Sequence, residues 1–341
     1  MTDKWELFFE KERYSITERA GSNPVLLLIS GGVDSTVTAA MLLKCLSPNQ
    51  VHLMYMDTGL MRMDETKNVK TSLEKLGSKH LHIVHCEDEF LGALRGVINP
   101  EEKRKTIGDL FMSIQERETA RLDLKESYLL AQGTIYPDVL ESGTASSGLV
   151  KSHHNVGSPM VDAKRKAGLV IEPLQNLYKD EVRELGRFLG VSEETLLRHP
   201  FPGPGLAVRV LGEVTKEKCD ILRQADAIFI DELKKRMGPS GKSLYDEIWQ
   251  AFAVLLPLRS TGVTGSTSDS SRENSGAVSR RYGWVLALRA VTGKDAITAG
   301  VYPFQTEDLF EISMRITAEV NEIGRVSYDV TAKPPATIEW E

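Results

Sequence analysis

The stretch Ser30-Gly31-Gly32-Val33-Asp34-Ser35-Thr36 gathers glycines, hydroxyls and one carboxylate into consecutive positions. The glycines allow a tight turn that brings backbone N–H groups up to an anion, and a helix leaving the turn adds the positive end of its dipole. Ser30, Ser35 and Thr36 can donate hydroxyl hydrogen bonds to phosphate oxygens. Asp34 is out of place beside phosphates unless a magnesium ion bridges its carboxylate to them. A plain glycine turn with Asp34 capping the helix is the competing explanation. It loses ground because an apolar run precedes the motif and a helical pattern follows it. A Walker-type lysine loop is absent: Gly241-Lys242-Ser243 comes nearest, but Arg236 stands where the first glycine belongs, which disfavours a kinase or GTPase.

Other residues invite chemistry less specifically. Arg325 and Lys333 could hold a phosphate and Glu339 could accept from a base or ribose, although basic residues more often end as solvated surface charges. His153-His154 suggests a metal, yet adjacent side chains on an extended segment point to opposite sides, so a loop ordering over nucleotide is the better reading. Cys45, Cys86 and Cys219 form no CxxC pair, and the first two lie in apolar-periodic segments where buried free thiols are expected.

These groups need a scaffold, and the first two-thirds of the chain supplies one. Residues 25–29, 51–56, 80–86, 129–133 and 169–174 read as short strands. Helical patterns follow at 37–45, at 64–76 up to Gly77, and, beyond a break at Asn99-Pro100, through Ile107, Leu110, Phe111 and Ile114, with another over Lys179–Leu189. That alternation predicts an α/β fold, a parallel sheet with helices on both faces. Trp5, Phe8 and Phe9 read as a helix packed on that sheet. The run His199-Pro200-Phe201-Pro202-Gly203-Pro204-Gly205 suits neither helix nor central strand, which sets a domain boundary there, with domains over 1–199 and 200–341. Beyond it, strands at 206–210, 250–256, 284–291 and 325–330 and helices at 216–237 and 308–321 form a smaller α+β unit. Residues 142–157 and 260–279, rich in Gly, Ser and Thr, read as loops.

Composition sets outer limits. The chain has 341 residues, 41% hydrophobic and 26% charged, with a net charge of −6. Such a balance gives no electrostatic reason to expect a nucleic-acid partner. No leader-like or membrane-spanning apolar run occurs, so a cytoplasmic location is expected.

The motif SGGVDST resembles the PP-loop of the ATP-pyrophosphatase superfamily. Its members split ATP between the α and β phosphates, adenylate an oxygen, and let a nitrogen or sulfur nucleophile displace AMP. Longer stretches are similar to the synthetase domain of the GMP synthase family. They are Ala131-Gln132-Gly133-Thr134-Ile135-Tyr136-Pro137-Asp138, Lys151-Ser152-His153-His154-Asn155-Val156-Gly157, His199 through Leu206 with Arg209-Val210-Leu211-Gly212-Glu213-Val214 following, and the tail Lys333-Pro334-Pro335-Ala336-Thr337-Ile338-Glu339-Trp340-Glu341. The resemblance runs from about Val25 to the last residue.

It implies an adenine nucleotide alpha hydrolase-like PP-loop domain and a C-terminal dimerisation domain. It also implies ATP-dependent amination of xanthosine monophosphate (XMP) to GMP through an O2-adenyl intermediate. Ser30, Gly31, Gly32, Val33, Asp34, Ser35 and Thr36 would bind ATP phosphates, with Asp34 on Mg2+. Met56 and Asp57 would line the adenosine pocket. Gly133, Thr134 and Asp138 would lie at the adenylation site, with Asp34, Lys151 and Asp138 as the catalytic set. Lys103, Arg104 and Lys105 would belong to a lid. Gln250, Arg325, Lys333, Thr337, Ile338 and Glu339 would hold XMP.

An N-terminal glutaminase domain, common in the family, is expected to be absent, since the chain begins about two dozen residues before the first strand; a separate glutamine amidotransferase subunit or free ammonium would then supply nitrogen. The family's DNGLLR reads Asp57-Thr58-Gly59-Leu60-Met61-Arg62 here, and a short glycine-rich turn is replaced by the longer segment 265–279. A paralogue adenylating another purine nucleotide or a tRNA base stays open, as does an ATP-binding regulatory module.

Overall fold

Val25–Ile29 (β1) is an uninterrupted apolar run, and the structure, a computed structural model, places it in mid-sheet. The structure describes residues 2–124, 126–138, 159–264, 279–293 and 298–341. Lys151, the segment 142–157 and most of the inserted segment 265–279 lie outside the described residues. The chain forms two compact units, Met1–Phe90 with Arg104–Gly203 and Leu91–Lys103 with Pro204–Glu341. Division of the sequence at 199/200 assigned residues 91–103 to the first domain; by compactness they group with the second unit.

The first unit is built on β1, β2 (Val51–Asp57), β3 (His80–His85), β4 (Leu129–Ala131) and β5 (Val170–Ile171). They pair in the order β3-β2-β1-β4-β5, all parallel, and the chain reverses its direction of growth at β1. A strand buried on both faces must be apolar throughout, which is why β1 reads VLLLI. Its helices are α1 (Thr2–Ala20), α2 (Val33–Cys45), α3 (Glu65–Lys75), α4 (Glu87–Ala93), α5 (Pro100–Arg121), α6 (Pro159–Lys166), α7 (Lys179–Leu189) and α8 (Glu193–Leu196), the division between units falling inside α4 and α5. Val25, Leu27 and Ile29 face one layer with Leu53 and Tyr55, under Trp5 and Ile16 of α1, Val37 and Met41 of α2, and Leu185 of α7. Leu26, Met54 and Leu130 face the other layer, with Tyr128 and Val161. Helices therefore cover both faces. The α2–α7 contact is close: a Cβ on Gly186 would stand 2.5 Å from Leu196 Cδ2 and 3.0 Å from Val37 Cγ2.

At the β3 edge, three imidazoles share one face. His52 Nδ1 lies 3.2 Å from His82 Nε2, and the His52 and His80 rings stack with centroids 4.8 Å apart. Burial, then mutual repulsion, holds His52 and His82 below the ordinary histidine value. The unfolded chain therefore binds more protons than the folded one as pH falls below the unfolded value of about 6.5, so stability drops with pH in that window. The expected result is a lower melting temperature at pH 5.5 than at 7.5, with the slope flattened in His82→Asn; parallel slopes in both proteins would sink this account.

The second unit carries β6 (Gln250–Thr264), β7 (Ser279–Thr292), β8 (Gly300–Val301) and β9 (Ile323–Tyr328), with α9 (Lys216–Lys235), α10 (Leu244–Glu247) and α11 (Thr306–Glu319). β7 is central to the sheet, antiparallel to β6 and β8 and parallel to β9. Phe252, Val254, Ala287, Val291, Ala299 and Ile338 form a core cluster. The strands β6 and β7 run well past the predicted 250–256 and 284–291. The predicted strand at 206–210 is instead a 3-10 turn over Gly205–Val208. Pro204 cannot donate to a ladder, and its carbonyl accepts from Ala207 N at 3.3 Å, closing the turn; only Val210 reaches a strand, bridging Leu255. Among the described residues no helix is long and apolar enough to cross a membrane.

Candidate active site

The loop 30–36 stands at the C-terminal end of β1, where α2 begins. Gly31 has φ +80°, a left-handed conformation open to glycine, and a Cβ there would stand 2.9 Å from Glu65 Oε1. Gly32 precedes the first turn of α2 without any side-chain cap. The hydroxyls stay local: Ser30 Oγ lies 3.2 Å from Ser35 Oγ, Ser35 donates to Gly32 O at 3.2 Å, and Thr36 donates to Gly32 O at 2.8 Å. An uncapped helix start behind a glycine turn leaves backbone N–H groups available to an anion.

Because β4 pairs with β1, the residues after β4 cross the same place. A Cβ on Gly133 would lie 3.1 Å from Asp34 C and Ser35 N, so this backbone abuts the first turn of α2. The next residue, Thr134, donates to Glu172 Oε1 at 2.7 Å, and Glu172 also accepts from Arg165 at 3.0 Å. Asp138 accepts from Ile135 N at 3.1 Å, its carboxylate closing a turn. Met56 is buried near the end of β2, and Asp57 accepts from Gly59 N at 3.3 Å. On the sheet face away from α2, a cavity of about 550 Å³ is lined by Met54, Val84, His85, Glu89 and Arg117 among others, where Arg117 grips Glu89 through both guanidinium nitrogens at 2.7 and 2.9 Å.

Three residues that sequence reasoning passed over complete the surroundings. Lys179, the first residue of α7, places its Nζ 2.8 and 2.7 Å from the two carboxylate oxygens of Asp34. Arg198 donates to Gly31 O at 3.0 Å and pairs with the buried Glu65. Together Arg198 and Glu65 hold the glycine turn from behind. A lysine at the start of a helix that continues Asp-Glu looks like a solvated charge; the available signal was that it disfavours the positive end of the helix dipole and so needs an acidic partner.

Magnesium fits this donor set. Asp34 offers hard oxygen ligands at the loop, and this ion is commonly held by one or two carboxylates with substrate phosphates and waters as its other ligands. Binding would require Asp34 to exchange Lys179 for the ion.

In the second unit the predicted nucleotide-monophosphate residues divide. Gln250 donates to Glu339 Oε1 at 2.9 Å, Ile338 packs in the core cluster, and Thr337 donates to Glu339 O. Lys333 bridges Ala299, a member of the same cluster. Arg325 stands apart: it is exposed and donates to Ser260 at 3.0 Å. Along β7, Gln250 is opposite Val291 whereas Arg325 is opposite Val285. At ~3.3 Å per residue this separates them by about 20 Å within one copy of the unit.

The lid assignment of Lys103 does not match its position. Lys103 is fully buried, donating to Ala207 O at 3.1 Å and Val210 O at 2.8 Å and pairing with the Glu341 carboxylate. Burial pushes its ammonium below the ordinary lysine value, and Glu341 acts in the opposite direction. Every N–H it carries is engaged, so it has none to offer a phosphate. Arg104 and Lys105, on the next positions of α5, are half-buried and exposed.

The profile described as GMP synthase C terminal domain matches residues 239–340, and the one described as asparagine synthase matches residues 15–113. A glutamine-hydrolyzing GMP synthase of Bdellovibrio bacteriovorus is 50% identical over 93% of this chain and 58% of its own length. Those of Carboxydothermus hydrogenoformans and Symbiobacterium thermophilum are 47% and 46% identical over 100% and 98% of this chain and 63% and 61% of theirs. Among solved structures, an NH3-dependent NAD synthetase from Campylobacter jejuni shares 18% identity at TM-score 0.42, covering 56% of this chain and 76% of that one. The chain thus spans about three-fifths of the length of the curated relatives it matches, from 58 to 63% in these three. By sequence along nearly all of its length, the chain is similar to glutamine-hydrolyzing GMP synthases, and its residues 239–340 match the GMP synthase C terminal domain.

Proposed function

We propose that the chain aminates XMP to GMP at the expense of ATP, releasing AMP and pyrophosphate. The XMP C2 oxygen attacks the ATP α-phosphorus and pyrophosphate departs. Ammonia then adds at C2, and the C2 oxygen leaves as part of AMP while the nitrogen sheds a proton. One observation carries this reading: a chain half identical to GMP synthases sets its glycine-hydroxyl loop against the backbone of Gly133, where strand order reverses and α/β sheets take their ligands.

In this reading the loop N–H groups and the hydroxyls of Ser30, Ser35 and Thr36 receive the pyrophosphate. Lys179 adds positive charge where the leaving group develops its negative charge. Mg2+ held by Asp34 would supply further charge neutralisation on the phosphates. Glu172 fixes the Thr134 hydroxyl at the adenylation site, and Arg198 with Glu65 keeps the turn from relaxing. Gln250, Lys333, Thr337, Ile338 and Glu339 hold XMP, and Arg325 serves the site of a second copy or a different part of the ligand. The second unit pairs with its own copy, a role to which the exposed Phe310 and Met314, one turn apart on α11, are suited. Nitrogen arrives as ammonia, free or released by a glutaminase, in keeping with the relatives' names.

The test combines XMP, ATP, Mg2+ and ammonium and follows GMP and pyrophosphate. Equimolar GMP and pyrophosphate, both dependent on XMP, are expected. Pyrophosphate release that ignores XMP would transfer the chain to another acceptor.

A further inference from the structure

Lys103, Arg209 and Arg289 are all fully buried, and each donates at least one hydrogen bond to the segment 331–341. Lys103 pairs with Glu341, whose other carboxylate oxygen accepts from Gly212 N at 3.3 Å. Arg209 clasps Glu339 through Nε at 3.0 Å and Nη2 at 2.9 Å, while its guanidinium lies 4.1 Å over the Phe252 ring. Arg289 donates to the carbonyls of Thr331 at 2.5 Å, Thr337 at 2.9 Å and Ile338 at 3.3 Å, and pairs with Asp329 at 3.0 Å.

The segment so held has no helix or strand of its own. Beyond β9 its backbone meets the sheet at Asp329, whose N–H donates to Leu288 O at 3.0 Å, and at the bridge of Lys333 to Ala299. Its shape is therefore set mainly by side-chain bonds. Desolvating a cation is costly, and an apolar cluster of the same volume would give similar stability, so stability alone does not account for three such groups converging on one irregular segment. Their effect on Glu339 is specific. Its carboxylate takes Arg209 at both oxygens and Gln250 at Oε1, filling three acceptor positions of roughly four and fixing the direction of the remainder.

We propose that Lys103, Arg209 and Arg289 are positioning residues that set the tail 331–341 in its XMP-binding shape before the nucleotide arrives. The inference rests on the XMP reading given above. It assigns them no contact with the reacting atoms: Arg209 acts through Glu339 and Gln250, Lys103 through Glu341, and Arg289 through the carbonyls around Thr337.

The experiment measures ammonium-dependent GMP formation in wild type, Lys103→Met, Glu341→Gln and the double variant, varying XMP and ATP separately. Misplacement of substrate-holding groups has large effects, so KM for XMP is expected to rise about tenfold in each single variant, with KM for ATP within about twofold of wild type. The double variant should be no worse than the poorer single one, because both remove the same link. Glu341→Gln retains the residue's shape and leaves Lys103 its two carbonyl partners, so it decides the matter even if Lys103→Met fails to fold. Equal rises in both KM values, no rise in either, or additive losses in the double variant would overturn the positioning role. Wild type that forms no GMP from XMP would overturn the proposed function, and this inference with it.

Discussion

Lys179→Met is expected to lower kcat for XMP-dependent pyrophosphate release by about 100- to 1,000-fold, the effect of removing one fixed donor from a developing anion. That corresponds to ~2.7–4 kcal/mol of transition-state stabilisation. The expectation follows from the proposed function and two short contacts: Nζ sits 2.8 and 2.7 Å from the oxygens of Asp34, in the first turn of α2. Its position is rigid, because α7 packs on α2 with no room for a side chain at Gly186. Methionine keeps the length and removes the charge. Lys179→Arg keeps the charge but replaces a compact ammonium with a planar fork, and is expected to recover less than about a tenth of the activity. A drop smaller than about fivefold in the methionine variant, with the fold intact, would assign Lys179 to a surface ion pair of ordinary worth.

Arg289→Met should destabilise the second unit by about 3–5 kcal/mol, the range for removing one partner from a buried ion pair. The residue is fully buried and joins Asp329 to three carbonyls of the irregular tail. Methionine fills the volume but donates nothing, leaving the half-buried Asp329 carboxylate with only its Thr331 N–H and several carbonyls without their partner. Urea unfolding of both proteins would show the change in midpoint. A loss under about 1 kcal/mol would mean that water replaces the guanidinium readily, against the burial described.

Much of the first unit was legible because its signals are local. The run at 25–29, the glycines after it and the helical spacing beyond it each depend on neighbouring residues; β1 and α7 appear with the predicted limits, and α2 starts four residues before the predicted 37. What could not be read locally was partnership. Lys103 sits in a run of basic residues that looks solvated, and its burial is created by carbonyls at Ala207 and Val210 and a carboxylate at Glu341, all far along the chain. The ion pair of Lys179 with Asp34 spans 145 positions, and no periodicity signals it. The segment 206–210 misled for the opposite reason: its apolar residues suit a strand, but Pro204 and the turn it closes override that preference. Motif resemblance pointed to the tail's importance without saying how it is fastened.

The contact between Gly133 and the start of α2 has a consequence for the life of the chain. Its two sides come from strands about a hundred residues apart in the sequence, so neither a chain cut short before β4 nor a partly opened one possesses it. A phosphate-bearing ligand held in that crevice, as proposed, would bind only the completed unit. At a hundredfold excess over its dissociation constant it withdraws about 2.7 kcal/mol from the opening equilibrium on which proteases act. On the proposed function that ligand is a nucleotide, and the chain would then be easier to degrade when nucleotide is scarce than when it is plentiful.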